Sequence, residues 1–230
     1  MQASLLYRAS RFFYRSVLLP LLKFRVAGRE YIPVSGGLIL ASNHQSFLDP
    51  IVLGCGSTRV PAHFMARESL FRSRILGFYF RNTHTFGVKR GGVDRQAWKH
   101  FENLVRDGEQ VTFFPEGTRS ADGVLQAGNP GSGMLIHRCP GAIVVPARIR
   151  GTYKVLNKSR GFAGLHPISV AFGPPVDLGA EWAQKGGREV YAAITDKIMA
   201  AIAAIPPVDG IDDDAWPQAR ARADKNTTVT

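Results

Sequence analysis

The chain has 230 residues, of which 45% are hydrophobic. This is enough for one sizeable domain with short additional segments, and it excludes disorder along the whole chain. The 29 Lys and Arg residues against 18 Asp and Glu residues give a net charge of +11, which favours nucleic acid, anionic lipid or a phosphorylated substrate as a partner without choosing among them.

Cysteine content and hydropathy indicate the cellular compartment and whether a membrane-spanning helix is expected. Cys55 and Cys139 form no C-x-x-C pair, so the sequence disfavours a disulfide scaffold and a zinc site and indicates a reducing, cytosolic compartment. The longest apolar run near the start, residues 17–22, contains Pro20 and is far shorter than the roughly 18 apolar residues of a spanning helix. It also fits a secretory signal poorly, because Lys23 follows it at once.

Residues 3–19 are predicted to form a basic amphipathic helix. Arg8, Arg11 and Arg15 recur at three- and four-residue spacing and share one face. The apolar side chains gather towards the other face: Leu5, Leu6, Phe12, Phe13 and Val17. Such a helix can lie in a lipid interface, so residues 1–23 are interpreted as an interfacial helix on an anionic membrane surface. The alternative is a helix that packs its apolar face on the core.

The rest of the chain alternates short apolar runs with helical patterns. Strands are predicted at 38–41, 61–65, 84–88, 110–114, 143–149 and 168–172. Helices are predicted at 67–80, 94–106, 133–138 and 189–205, with a further helix that begins at Asp49-Pro50 and has Asp49 as its N-cap. This alternation predicts a single α/β domain over residues 24–205, with a mainly parallel mixed sheet flanked by helices. Residues 206–230 are predicted to be a flexible tail.

The first candidate site is N-H-Q-S-F-L-D-P at residues 43–50. The helix start at Asp49 leaves His44 in the loop after a strand, where the carboxylate can fold back towards the imidazole ring. A carboxylate on one ring nitrogen fixes the tautomer and stabilises the imidazolium that forms when the other nitrogen takes a proton. The pair predicts a general base for a hydroxyl group, the alternative being a plain N-cap beside a polar loop residue.

The second candidate site is F-F-P-E-G-T-R-S at residues 113–120, directly after a hydrophobic strand. Open α/β sheets place ligand sites in such loops. Glu116 can accept a hydrogen bond from a substrate hydroxyl, Arg119 presents a planar fork suited to a phosphate, and Gly117 lets the backbone approach a ligand. Ordinary turn composition is the alternative, but the charged pair beside an apolar strand favours function.

Two further segments are weaker candidates. F-G-V-K-R-G-G at residues 86–92 places Lys89 and Arg90 beside two glycines, which suits an anion pocket or a solvated loop. V-V-P-A at residues 144–147 is apolar, and its pattern favours the core over a site.

Four segments strongly resemble, in the same order, the motifs of the glycerolipid acyltransferase family, which includes 1-acylglycerol-3-phosphate acyltransferases. They are N-H-Q-S-F-L-D at 43–49, G-V-K-R at 87–90, F-P-E-G-T-R-S at 114–120 and V-V-P-A at 144–147. The resemblance covers residues 24–175. It implies that His44 is the general base and Asp49 its partner. It assigns substrate binding to Arg90, Glu116, Gly117, Thr118 and Arg119.

The implied reaction is direct transfer of a fatty acyl group from a thioester to the free hydroxyl of 1-acylglycerol-3-phosphate, giving phosphatidic acid without an acyl-enzyme. The thioester would be acyl-CoA or acyl carrier protein, with no metal or other cofactor. The resemblance also implies a peripheral protein on the cytoplasmic face of the membrane, with a lysophospholipid acceptor and no nucleic-acid partner.

One position departs from the family, and several alternatives remain. Asn129 stands near the position where the family usually has a lysine, which leaves acceptor identity less defined than the reaction. The acceptor could be another lysophospholipid or an amino-lipid, and a non-catalytic binder of anionic lipid or nucleic acid is a different class. A serine or cysteine hydrolase is disfavoured because G-x-S-x-G is missing, and a metal hydrolase because H-E-x-x-H is missing.

Overall fold

The computed structural model describes residues 2–89, 94–157, 161–208 and 211. Its strands, numbered in chain order, are β1 Arg25–Ala27, β2 Leu38–Ser42, β3 Ala62–Arg67, β4 Thr85–Val88, β5 Gln110–Phe113, β6 Ile143–Arg150, β7 Leu156–Asn157, β8 Gly161–Phe162 and β9 Ser169–Phe172. Within the described residues, seven of them form one sheet in the order β1-β9-β6-β2-β5-β3-β4, and β7 and β8 form a separate hairpin.

The helices surround this sheet. They are α1 Leu5–Phe13, α2 Leu19–Leu21, α3 Asp49–Gly56, α4 Arg74–Asn82, α5 Arg95–Arg106, α6 Pro130–His137, α7 Thr152–Val155, α8 Gly179–Trp182 and α9 Arg188–Ala204. Within the seven-stranded sheet, neighbouring strands are parallel except β6 and β9, which are antiparallel. The predicted class, an α/β domain with a mainly parallel mixed sheet and an N-terminal helix, is confirmed.

The core consists of two apolar clusters, one on each face of the sheet. Leu38 and Leu40 of β2 lie in the first cluster, and Ile39 and Ala41 lie in the second, because successive side chains of a strand point to opposite faces. Helices α2 and α3 cover the first face, and α5, α6 and α9 cover the second. The residues of V-V-P-A at 144–147 are buried, so their prediction as core is confirmed.

Two predicted helices were wrong in extent. The helix predicted at 67–80 is interrupted: β3 runs to Arg67, a 3₁₀ turn spans Glu68–Arg72, and α4 begins only after Ser73. Ser73 has an extended backbone, and its hydroxyl accepts a hydrogen bond from the backbone N–H of Leu76, which starts a new helix. The helix predicted at 3–19 is α1 followed by a π-helical turn over Tyr14–Leu18 and the short α2.

The N-terminal segment packs on the protein through some of its side chains, among them Tyr7, Tyr14 and Leu19, and leaves others on the outside. The Tyr7 hydroxyl accepts a hydrogen bond from the backbone N–H of Ala62 at 3.0 Å, and the hydroxyls of Tyr14 and Tyr79 are 2.8 Å apart. Apolar side chains on the outside are exposed: Leu5, Phe12, Phe13, Val17 and Leu21. Of the five apolar side chains predicted to share a face, four are exposed and Leu6 is half-buried, whereas Leu19 at the end of the predicted helix lies in the core.

Two further predictions concern the ends of the chain and membrane spans. The predicted tail over 206–230 lies outside the described residues except for 206–208 and 211. Among the helices that the structure describes, each is too short or too polar to cross a membrane.

Candidate active site

Three neighbouring strands of the sheet end at the same edge. Strand β2 is parallel to both β5 and β6, and its Ala41 is level with Phe113 of β5 and Pro146 of β6. The carboxyl ends of parallel strands are where open α/β sheets build ligand sites. The chain after β2 carries His44, and the chain after β5 carries Glu116.

His44 and Asp49 meet as the sequence predicts. The Nδ1 atom of His44 lies 2.8 Å from Oδ2 of Asp49, which is fully buried, whereas the His44 side chain is 18% exposed. The imidazole stacks on the ring of Phe114, with 4.0 Å between the ring centres and 14° between the planes. Because Nδ1 is held by the carboxylate, Nε2 is the ring nitrogen available to take up a proton.

Asp49 does not act as the predicted N-cap. It is the first residue of α3, which Leu48 precedes as N-cap residue, and its carboxylate turns back towards the preceding loop. Its Oδ2 accepts hydrogen bonds from the backbone N–H groups of Gln45 at 2.6 Å and Ser46 at 2.7 Å. Its Oδ1 accepts a bond from the Thr152 hydroxyl at 2.7 Å. These donors fix the carboxylate that orients His44.

The loops after β2 and β5 are joined through Glu116. Its Oε1 accepts a hydrogen bond from the backbone N–H of His44 at 2.8 Å, and its Oε2 accepts one from the backbone N–H of Gln126 at 3.3 Å. The backbone N–H of Ser120 donates to the carbonyl of His44 at 2.8 Å. Both described contacts of the Glu116 carboxylate are with backbone, which favours positioning of the His44 loop over the predicted contact with substrate.

We expect the stability of the protein to depend on the protonation of Glu116. Burial raises the pKa of this carboxyl from 4.5 to about 8, against the opposing effect of the two backbone N–H groups and the charge of Arg148. Between these two values the folded state holds a proton that the unfolded state has lost, so this group makes the free energy of unfolding fall as the pH rises. Glu116→Gln, which cannot ionise, should flatten this slope in urea unfolding measured from pH 4.5 to 8. An unchanged slope would show that Glu116 is ionised throughout.

Arg119, Gly117 and Thr118 line the same cleft as His44. The Arg119 guanidinium lies over the Phe47 ring, 3.5 Å from its centre, so the loops after β2 and β5 also meet through this stacking. Gly117 has a left-handed backbone with φ of 69°, a conformation that explains glycine in the turn. Arg90 lies outside the described residues, so its predicted role stays a prediction.

The cleft has a volume of about 500 Å³ and extends away from His44 between α1, α3, α4 and β3. Its walls are largely apolar and aromatic, including Ile51, Phe64, Met65, Tyr79 and Phe80. A cleft with this lining suits an aliphatic chain, and the polar groups of the site stand at its end near His44 and Arg119.

Asn129, which stands near the position where the resemblance predicts a lysine, has a local structural role. It is the N-cap of α6, where its side-chain oxygen accepts a hydrogen bond from the backbone N–H of Gly131 at 2.8 Å. The backbone N–H of Asn129 donates to the carbonyl of Pro115 at 2.8 Å. Asn129 therefore ties α6 to the loop that carries Glu116.

The cysteines are poorly placed for nucleophilic catalysis. Both are buried, and burial raises the pKa of Cys55 to about 11 and that of Cys139 to about 12. Both thiols therefore stay protonated near neutral pH, although Cys55 lines the cleft. In the part of the chain that the structure describes, no three His, Cys, Asp or Glu side chains gather as they would around a metal ion.

Sequence reasoning missed several residues that hold the site together. The Asn43 side chain makes two hydrogen bonds with the backbone of Ile149, donating to its carbonyl at 2.9 Å and accepting from its N–H at 2.7 Å. Thr152 and Gln126 contact Asp49 and Glu116 as described above. The position of Thr152, two residues after a strand that ends beside His44, could have indicated that it contributes to the site. No feature of the sequence around Gln126 indicates its contact with Glu116.

The fold and this site define an α/β enzyme in which a histidine–carboxylate pair and an arginine face an apolar cleft. Residues 23–150, more than half of the chain, match the protein family described as Acyltransferase. The chain therefore belongs to this family of acyltransferases.

Individual relatives agree with this assignment. A 1-acyl-sn-glycerol-3-phosphate acyltransferase of Bacillus subtilis (strain 168) is 27% identical over 175 residues, which cover 76% of this chain and 83% of the relative. The chloroplastic 1-acyl-sn-glycerol-3-phosphate acyltransferase LPAT1 of Arabidopsis thaliana is 33% identical over 60% of this chain, but only 38% of that relative's length is covered. The crystal structure of the 1-acyl-sn-glycerophosphate acyltransferase PlsC from Thermotoga maritima matches with a TM-score of 0.65 and 25% identity, covering 88% of this chain and 81% of that chain.

Proposed function

We propose that this acyltransferase moves a fatty acyl group from an acyl thioester to the free hydroxyl of 1-acylglycerol-3-phosphate and forms phosphatidic acid. The observation that carries the proposal is the His44–Asp49 pair, held at 2.8 Å at the end of an apolar cleft. The Bacillus and Arabidopsis relatives support this choice of acceptor, since both are named 1-acyl-sn-glycerol-3-phosphate acyltransferases.

The proposed reaction uses one base and no covalent enzyme intermediate. Nε2 of His44 takes the proton of the acceptor hydroxyl while the oxygen attacks the thioester carbonyl carbon. The carbon–sulfur bond then breaks, and the leaving thiolate takes the proton back from the His44 imidazolium. The negative charge of Asp49 stabilises that imidazolium, and a thioester is already activated, so positioning and one base suffice.

The polar end of the cleft suits the phosphate of the acceptor. Arg119 stands there beside His44 with its guanidinium already oriented by the stacking on Phe47. A planar guanidinium can make two parallel hydrogen bonds with a phosphate. The apolar walls then bind the fatty chain. Either acyl-CoA or acyl carrier protein could supply the thioester.

We expect Arg119→Ala to raise the KM for lysophosphatidic acid by roughly 10- to 100-fold, the worth of a charged hydrogen bond, and to leave the KM for the thioester nearly unchanged. Initial rates with each substrate varied in turn would measure both constants. Arg119→Lys, which keeps the charge and loses the fork, should lie between wild type and Arg119→Ala. A rise confined to the KM of the thioester would contradict the phosphate assignment.

The proposed setting is a membrane surface. Leu5 and Phe12 of α1 are 82% and 74% exposed, and α4, which packs against α1, exposes Ile75 and Phe78. Apolar side chains on the outside of a basic helix fit the boundary between lipid headgroups and acyl chains. We place the enzyme at the cytoplasmic face of the membrane as a peripheral protein.

Replacing exposed apolar side chains of α1 should weaken vesicle binding. The double variant Leu5→Gln, Phe12→Gln should bind phospholipid vesicles at least about 10-fold more weakly, because each apolar side chain contributes roughly 1.5–3 kcal/mol when buried in lipid. Vesicle sedimentation measures the change, with Val34→Gln, Phe162→Gln as the matched exposed control. Equal binding by the two variants would contradict an interfacial role for α1.

Point variants are a sharper test than deletion of residues 1–20. That deletion would also remove Tyr7 and Leu19, which are buried. Loss of vesicle binding by the truncated protein could then result from damage to the fold.

The transfer reaction itself is tested by following thiol release from an acyl thioester with and without lysophosphatidic acid. Release that requires the acceptor, with phosphatidic acid as the product in mass spectra, supports the proposal. An acyl group found attached to the protein when the acceptor is left out would contradict direct transfer.

A further inference from the structure

Residues 120–124 form a compact loop directly after Arg119, which lines the catalytic cleft. Its own side chains cross-link this 120–124 loop. Oδ1 of Asp122 accepts hydrogen bonds from the Ser120 hydroxyl at 2.9 Å and from the backbone N–H of Val124 at 3.0 Å. The loop therefore keeps its shape as one unit, and its placement determines where the backbone of Arg119 lies.

An aromatic ring packs closely against the 120–124 loop. Gly123 has a left-handed backbone with φ of 81°, and a Cβ atom at this position would lie 2.9 Å from two ring carbons of Tyr153. The Tyr153 hydroxyl donates to the carbonyl of Ala121 at 3.0 Å. Tyr153 belongs to α7, whose Thr152 also donates to Asp49. Helix α7 therefore contacts both the loop and the carboxylate partner of the catalytic histidine.

Gln45 joins the same loop to the residue next to His44. Its side chain is buried, and its Nε2 donates to the carbonyl of Gly123 at 2.6 Å. A carbonyl only accepts, so this contact determines which end of the amide faces the loop. Oε1 of the amide is also buried, and the described residues give it no hydrogen bond. An apolar side chain of the same shape would avoid that cost, so packing alone does not explain a glutamine here.

The Gln45 amide completes a set of three contacts between the two loops. The other two are the hydrogen bond from the backbone N–H of Ser120 to the carbonyl of His44 and the stacking of Arg119 on Phe47. A single hydrogen bond beside Arg119 would let the 120–124 loop rotate about it. A second attachment, on the far side of the loop, removes that freedom and fixes the guanidinium relative to the imidazole.

We propose that Gln45 is a positioning residue for Arg119, and that it thereby contributes to the preference for an acceptor that carries a phosphate. Gln45 acts through the 120–124 loop and contacts no substrate. Paired hydrogen bonds between a guanidinium and a phosphate are directional, so a small displacement of Arg119 weakens them, whereas an apolar cleft tolerates it. The inference rests on the proposed function, in which Arg119 binds the phosphate.

The test is a comparison of Michaelis constants. Gln45→Met keeps the length of the side chain and loses the amide, and it should raise the KM for lysophosphatidic acid about 5- to 10-fold, the equivalent of one hydrogen bond. The kcat with this acceptor, the KM for the thioester and the kcat/KM for 1-acylglycerol should change far less, because none of them depends on the phosphate. Gln45→Asn, whose amide is one methylene too short to reach the carbonyl, should show the same rise.

The matched control is Gln184→Met. It removes an exposed amide that donates to the carbonyl of Ala180 at 3.1 Å, and it should behave like wild type. An unchanged KM for lysophosphatidic acid in both Gln45 variants would overturn the inference. An equal fall in kcat/KM for both acceptors would overturn it as well, because it would indicate general damage to the site.

Arg119→Ala provides a double-mutant cycle. Because Gln45 acts through Arg119, Gln45→Met should raise the KM for lysophosphatidic acid no further in the Arg119→Ala background. Effects that multiply would show that Gln45 acts independently of Arg119 and would overturn the inference alone. An Arg119→Ala variant with wild-type KM would instead overturn the proposed phosphate assignment, and the role of Gln45 with it.

Amide hydrogen exchange tests the positioning without turnover. Gln45→Met should increase exchange in residues 117–124 and leave α5 and α9 like wild type, since the loop loses one of its attachments. Tyr153→Phe, which removes the contact with Ala121, should act in the same direction. Unchanged exchange in residues 117–124 of Gln45→Met would show that the amide does not hold the loop, whatever the kinetics, and would overturn the inference.

Discussion

His44→Ala is expected to lower kcat by about 10²- to 10⁴-fold, the usual contribution of a general base. The substitution removes the imidazole whose Nδ1 is held at 2.8 Å by Asp49. In the proposed reaction the other ring nitrogen receives the proton of the acceptor. The KM values should change much less, because the proposed reaction assigns binding of the phosphate to Arg119 and binding of the fatty chain to the apolar walls. Steady-state rates with a saturating thioester measure the loss.

The control for this variant is His100→Ala, which removes an exposed histidine on α5 and should keep wild-type turnover. Circular dichroism and urea unfolding should show that both variants are folded. Turnover of His44→Ala within a few fold of wild type would remove His44 from the mechanism.

Substitutions of Asp49 are expected to separate its catalytic charge from its structural hydrogen bonds. In Asp49→Asn the amide oxygen can still accept from His44 and from the backbone N–H groups of Gln45 and Ser46, and the Thr152 hydroxyl can turn to accept from the amide. The fold should be kept, but the negative charge that stabilises the imidazolium is lost. We expect kcat to fall by roughly 10²- to 10⁴-fold with little loss of stability.

Asp49→Ala removes the acceptor as well as the charge. It leaves buried backbone donors and the Thr152 hydroxyl without their partner, and each such group costs about 1–3 kcal/mol. The free energy of unfolding should therefore fall by roughly 3–5 kcal/mol. Urea unfolding of both variants, beside Asp177→Asn as an exposed control, measures the difference. Full activity in Asp49→Asn, or unchanged stability in Asp49→Ala, would contradict these roles.

Elements with local signals were predictable from the sequence. The helix predicted at 94–106 is α5, Arg95–Arg106, because both of its ends are fixed by nearby residues. Asp94 caps the first turn, where its carboxylate accepts from the backbone N–H of Ala97 at 3.1 Å, and Gly108 takes a left-handed backbone with φ of 79° just beyond the helix. Residues 38–41 of β2 and 143–147 of β6 are continuous apolar runs, which is typical of the centre of a parallel sheet.

Elements stabilised by distant parts of the chain were not predictable. Strand β1 has only three residues, and it pairs in parallel with β9, more than a hundred positions later in the chain. Nothing in Arg25–Ala27 alone indicates that pairing. The interruption of the helix predicted at 67–80 depends on the pairing of β3 with β4, which extends to Arg67 and Val88.

Some contacts of the candidate site could also be predicted from the sequence, and others could not. The proximity of His44 and Asp49 follows from the strand end and the helix start that flank them, so it could be predicted. The contacts of Thr152 with Asp49 and of Glu116 with the His44 backbone join segments from three strands. They depend on the strand order, which a single sequence does not supply.

The measurement that tests the central claim most directly compares two acceptors that differ only in the phosphate. The detergent-solubilised protein is given an acyl thioester with either lysophosphatidic acid or the corresponding 1-acylglycerol, and the lipid products are identified by mass spectrometry. We predict phosphatidic acid from the first, and a kcat/KM at least about 100-fold lower for the second, because the arginine at the end of the cleft then has no phosphate to bind. Equal use of the two acceptors, or thiol release that lysophosphatidic acid does not stimulate, would contradict the proposed function.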